Sequence, residues 1–161
     1  MSMLYAPWRQ DYVTKKNRED LDGCVFCNII ASKDDDEQLI IKRYDHCILI
    51  FNKYPYAAGH LLVIPTAHGS TLADFTQETL NEIMEVTKKA VEALSEVIKP
   101  HAFNIGCNLG KSAGAGIPEH MHQHIVPRWN GDTGFLSLIS QTGVISVDLK
   151  ELHKKLIAAI Q

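Results

Sequence analysis

The sequence predicts an α+β fold in which an antiparallel sheet carries one long helix and a C-terminal helix. Short β-branched and apolar runs at 38–42, 46–51 and 60–65 are bounded by turn residues, as strands are. After Thr76, Leu80, Ile83, Met84, Val91, Leu94 and Ile98 recur at helical spacing until Pro100, and Leu149, Leu152, Leu156 and Ile160 repeat that spacing later. Strands, a long helix, two further strand-like segments at 104–108 and 119–128 and a helical tail give the order of an α+β domain. At 161 residues the chain has the length of one compact domain, which we divide into an N-terminal arm, 1–23, and a single domain, 24–161.

Composition narrows the partners. A formal net charge of −3 argues against a broad basic surface for nucleic acid, while a single nucleotide needs only a local site. No run approaches the roughly 20 apolar residues of a membrane span, and the first residues lack the apolar core of a signal peptide. The expectation is a cytoplasmic protein without membrane partners. Cys24, Cys27, Cys47 and Cys107 then read as reduced thiols or metal ligands.

In chain order, residues 1–23 mix Pro7, Trp8 and Tyr12 with charges and read either as an arm across the domain or a partner subunit, or as a loose tail. Cys24 and Cys27 form a Cys-x-x-Cys pair leading into a short helix; the spacing suits a zinc half-site or a redox pair, and the βαβ context of a redox pair is missing. Asp34, Asp35, Asp36 and Glu37 read as a solvated acidic turn. Residues 52–59 turn one strand into the next, making a hairpin with 60–65. Thr76 supplies a helix cap and Glu78 an acidic first turn, and Met84 is assigned to the core. Pro127 is expected to end regular pairing, Trp129 to Asp132 to turn, and His153 to be a surface histidine of the tail helix, which is placed at 148–160.

The most informative stretch is 119–128. On a strand, side chains two apart share a face, so His120, His122 and His124 would form one imidazole face, with Met121, Gln123 and Ile125 opposite. A surface metal patch or a set of core histidines would carry the same spacing. The preceding segment, 109–118, is rich in glycine, and such turns let backbone N–H groups approach an anion. Phosphate beside imidazole implies phosphoryl chemistry.

At these residues the chain resembles the histidine triad (HIT) family of nucleotide hydrolases and transferases. The pattern EHMHQHIVPRWNGDTGF is most similar to the bacterial branch of diadenosine tetraphosphate phosphorylase- and hydrolase-like proteins, with Gly134 standing where that branch is expected to carry Asn. The resemblance covers about Leu4 to Leu136 and implies a HIT-like fold, a homodimer and an adenylyl-histidine intermediate formed on His122. It further implies that His124 and His60 contact the phosphate oxygens or assist the leaving group. Asn108 and the backbone of 114–117, including Gly114, Gly116 and Ile117, would hold the anion. Asn52 would hold the ribose, and Phe26 and Ile29 would pack on a purine base. A structural zinc on Cys24, Cys27, His68 and His120 follows from the same resemblance. The expected activity is cleavage of dinucleoside polyphosphates such as diadenosine tetraphosphate, releasing AMP-like products. The alternatives are an adenosine phosphoramidase, a non-catalytic nucleotide-binding protein, and a metallohydrolase using the triad itself as ligands.

Overall fold

The computed structural model describes residues 23–132 and 147–160, so the arm at 1–23, save its last residue, lies outside the described residues, as does Gly134. Helix α1 (Val25–Ala31) leads into strands β1 (Ile40–Arg43), β2 (Cys47–Phe51) and β3 (Leu61–Pro65). Helix α2 (Gln77–Val97) links these to β4 (Ala102–Cys107) and β5 (Gln123–Arg128), and α3 (Leu149–Ala159) follows. All pairings are antiparallel, in the order β1-β2-β3-β5-β4, so β5 lies between β3 and the edge strand β4. The expected α+β architecture is the one observed.

The strands of the centre are covered on both faces, which is why they read as continuous apolar runs. Leu49, Phe51, Leu61, Val63 and Ile125 pack against Ile83, Val86 and Leu94 of α2 and against Leu152 and Leu156 of α3. Alternate residues, Ile40, Ile48, Ile50, Leu62 and Ile64, face the other way and pack with Phe26 of α1. The hairpin loop before β3 closes at Gly59, whose φ of +76° suits glycine, and a Cβ there would stand 2.7 Å from Ile98 and 2.9 Å from Leu94.

Helix α2 starts as expected, with the Thr76 hydroxyl accepting from the Thr79 N–H at 3.3 Å. It ends where Lys99 turns to φ +47° ahead of Pro100. Its predicted stripe packs on the core except at Met84, with Leu80, Val91 and Ile98 half-buried against the cluster that holds Ile83 and Leu94. Thr79, Ile83, Val86, Thr87, Ala90, Ala93 and Leu94 are buried, while Met84 is 58% exposed. One residue past Ile83 is a rotation of about 100°, enough to carry Met84 off the core side. Small residues, invisible to a count of large apolar ones, make much of the contact.

Three other expectations are corrected. Strand β5 begins at Gln123 rather than Glu119, because Val63↔Gln123 and Cys107↔Gln123 are the last pairs on its two sides. Pro127 does not end pairing: it opposes Phe103, in the part of β5 flanked by β4 alone, where the β3 register has stopped at Leu61↔Ile125. His153 is buried rather than surface-exposed, edge-on to Phe51 with ring centroids 6.2 Å apart, because it follows Leu152 on the docked side of α3.

Candidate active site and metal cluster

His120, His122 and His124 gather on the α1 side of the sheet although only His124 belongs to the ladder. Phe26 contacts the rings of both His120 and His122, with centroids 5.6 and 4.9 Å apart, and His122 and His124 meet at 4.9 Å. The hydrogen bonds fix what each ring can do. His122 Nδ1 lies 2.9 Å from the His120 carbonyl, which only accepts, so Nδ1 carries the proton and the lone pair is on Nε2. Burial lowers the His122 pKa, against the pull of its bond to the His120 carbonyl and of Glu119. The ring is therefore held neutral.

A second chain of bonds orients His124. The Tyr54 N–H donates to Asn52 Oδ1 at 2.9 Å, which turns the Asn52 amide nitrogen toward His60 Nδ1, 3.2 Å away. The Tyr56 N–H also donates to that nitrogen, at 3.0 Å. His60 must then carry its proton on Nε2 and donate it to His124 Nδ1, at 2.9 Å. What remains on neutral His124 is an Nε2–H, buried and without a partner among the described residues. Burial and the neighbouring imidazoles push His60 down to about 3, and burial with His122 pushes His124 down to about 4.

A cavity of about 480 Å³ opens beside these rings. Of the residues expected to hold a nucleotide, Phe26, Ile29, Asn52, Asn108, Gly116, Ile117, His122 and His124 line it. Gly114 is not among its lining residues. With φ +92° it caps the short 3-10 turn Lys111–Ala113, donating to the Lys111 carbonyl at 3.0 Å. His60 does not line it either; fully buried, it sits behind His124 and reaches the cavity only through its bond to that ring. Sequence reasoning missed Tyr56, which stacks over His124 at 5.8 Å, and Lys53, both on the hairpin loop whose Asn52 was already suspected. The acidic turn is exposed as expected, with Asp35 paired to Arg43 at 2.8 Å, and Glu37 and Gln38 at its end also line the cavity.

Below the triad, Cys24, Cys27, His68 and His120 converge, with their ligand atoms all within 4.8 Å of one another. Cys24 Sγ and Cys27 Sγ lie 3.4 and 3.6 Å from His120 Nδ1, and Cys27 Sγ lies 3.3 Å from His68 Nδ1. Zn–S and Zn–N bonds at a tetrahedral angle put sulfur and nitrogen roughly 3.5 Å apart, so the donor set fits that geometry. His120 Nε2–H donates to the Pro65 carbonyl at 2.9 Å, leaving the Nδ1 lone pair directed at the two sulfurs. Of the triad, only His120 belongs to this group, an arrangement unlike a metallohydrolase built on all three rings.

Fold and site together define a small nucleotide hydrolase or transferase domain. The chain belongs to the HIT domain family, whose model matches residues 33–131. It is 35% identical to an AP-4-A phosphorylase of Mycobacterium tuberculosis, over 97% of this chain and 83% of the relative. With an adenosine 5'-monophosphoramidase of Saccharomyces cerevisiae it shares 31% identity, over 86% of this chain and 84% of that protein. Among solved structures, a Zn-bound histidine triad family protein from Mycobacterium smegmatis superposes with a TM-score of 0.70 at 31% identity, covering 86% of this chain and 93% of the other. A histidine triad nucleotide-binding protein from Sulfolobus tokodaii gives 0.66 at 28% identity, covering 85% and 91%.

Proposed function

We propose that the protein cleaves dinucleoside polyphosphates such as diadenosine tetraphosphate by nucleotidyl transfer to His122. The observation that carries this reading is the 2.9 Å bond from His122 Nδ1–H to the His120 carbonyl, which leaves a neutral ring lining the cavity with its lone pair on Nε2. That nitrogen attacks the phosphorus of the bound nucleoside phosphate; the N–P bond forms and the P–O bond to the remaining phosphates breaks. The departing polyphosphate leaves as a stable anion that needs no proton. The His124 Nε2–H, braced by His60, supplies a hydrogen bond to a phosphoryl oxygen as charge shifts. Phe26 and Ile29 would cover a purine and Asn52 would meet the ribose. Asn108 and the backbone at Gly116 and Ile117 would cradle phosphate, and water or inorganic phosphate then takes the nucleotidyl group from His122.

A phosphoramidase reading has one specific support, the similarity to the yeast phosphoramidase, and uses the same nucleophile with an amine leaving group. A protein that binds nucleotide without turning it over is a third outcome. Product identification from diadenosine tetraphosphate, with and without inorganic phosphate, tests all three. ADP formed only with phosphate means phosphorolysis, and AMP with ATP in its absence means hydrolysis. No cleavage alongside turnover of an adenosine phosphoramidate would replace the first reading with the second, and binding without turnover of either would overturn both.

Two further parts belong to this proposal. Zinc closes the Cys24, Cys27, His68 and His120 set as a structural metal, supported by the donor separations and by the Zn-bound relative. The chain forms a homodimer through the edge of β4, supported by the exposure of that strand and by Ile105 and Met84, 47% and 58% exposed beside it.

A further inference from the structure

Between His122 and His124 stands Gln123, directed to the α2 side of the sheet with buried Met121 and Ile125. Only 8% exposed, it has both ends of its amide engaged. Nε2 donates to Thr87 Oγ1 of α2 at 2.6 Å, and the Cys107 thiol of β4 donates to Oε1 at 3.7 Å. The Thr87 hydroxyl gives its one proton to the Ile83 carbonyl at 2.7 Å, so it can only accept from Gln123, which settles the amide's orientation. A buried amide left unpaired is costly, and a paired one is worth little more than an apolar side chain of the same shape. Packing alone therefore gives no reason for glutamine between two apolar neighbours.

Its place in the ladder gives one. Gln123 is the last residue of β5 paired to β3 and also the last paired to β4; His122 lies just past the ladder, between Gln123 and Met121, whose N–H donates to the Gly69 carbonyl at 2.7 Å. We infer that Gln123 is a positioning residue for the nucleophile, fixing through Thr87 the rotation of the chain where the ladder stops and so the aim of His122 and His124. The inference rests on His122 acting as the nucleophile.

The test uses the full chain in its metal-bound form. In Q123L and T87V, kcat should fall about tenfold, as expected for a reacting group slightly misaligned, while KM stays within about twofold. The Q123L–T87V double variant should fall no further than either single one, because both break the same link. T87S, which keeps the hydroxyl, should restore the wild-type kcat. Melting temperature and zinc content, measured alongside, identify a variant that merely misfolds, and T87V carries the test if Q123L does so. Wild-type kcat in a folded Q123L, or single effects that multiply in the double variant, would overturn the inference. Trapping of labelled nucleotide on histidine in the wild type separates the two ideas. Its absence removes the nucleophile and this inference with it; its presence beside an unimpaired Q123L removes only the role of Gln123.

Discussion

A nucleophile that bonds to phosphorus only along the reaction path contributes to turnover far more than to ground-state binding. His122→Asn keeps a polar group on the same backbone but loses the attacking nitrogen. Turnover should drop at least about a hundredfold with nucleotide affinity little changed, as read by single-turnover kinetics beside a binding titration. Near-normal turnover would rule out the covalent route. The buried imidazoles also set a pH dependence. His60 is held at about 3 and His124 at about 4, so both stay neutral in the fold well below the ordinary histidine value of about 6.5. The unfolded chain protonates these rings below about 6.5, so stability present at neutral pH is lost as the pH falls from there toward 3 to 4. Fully buried His60 accounts for a slope of at most about 1.4 kcal/mol per pH unit in that window. Acid unfolding followed against pH should show this decline, whereas kcat/KM should lack a break near 6.5 attributable to His60 or His124. A midpoint there that vanishes on replacing either ring would contradict the neutral relay.

At the scale of elements, α1 needs help to exist. It has seven residues, and Cys24 at its N-cap makes no side-chain capping bond, so in isolation it would not hold. The packing of Phe26 and the contacts of Cys24 and Cys27 with His120 and His68 hold it against the rest of the domain. Cys24→Ser should lower zinc content and melting temperature together, starting from about one zinc per chain. Elemental analysis finding fully folded, metal-free wild-type protein would end that proposal. The elements themselves were largely legible, since β2 and β3 are continuous apolar runs and α2 and α3 carry apolar residues at helical spacing. Their limits were less so. The stretch around His120 and His122 alternates like a strand, yet it runs beyond its neighbours, and the lengths of β3 and β4 cannot be read from residues 119–122. The same holds for His153 and for Glu37, whose surroundings are made by segments distant in sequence. The triad was legible because spacing and chemical type coincide there, whereas Asn52 and Phe26 entered only through the family resemblance that the triad carries. The relay from Asn52 through His60 to His124 was not, because it depends on which nitrogen meets which backbone group.

For the whole molecule, the edge of β4 makes the prediction. Ala102, Asn104, Ile105 and Gly106 are exposed along a strand that, among the described residues, is paired on one side only, and Met84 of α2 adds an apolar shoulder on the face that Ile105 shares. Light scattering at micromolar concentration should report twice the chain mass, and a charged substitution at Ile105 should halve it. A monomeric wild type with full turnover would contradict this. Among the described residues no helix is long and apolar enough to cross a membrane. The strand order has a consequence for synthesis. β5 is made after β4 but belongs between β4 and β3, so a chain emerging from the ribosome holds an open slot with a bare edge on each side until the triad segment arrives. A nascent chain halted before Gln123 should therefore be sticky and inert, and one released a few dozen residues later should gain solubility and catalytic competence in the same step.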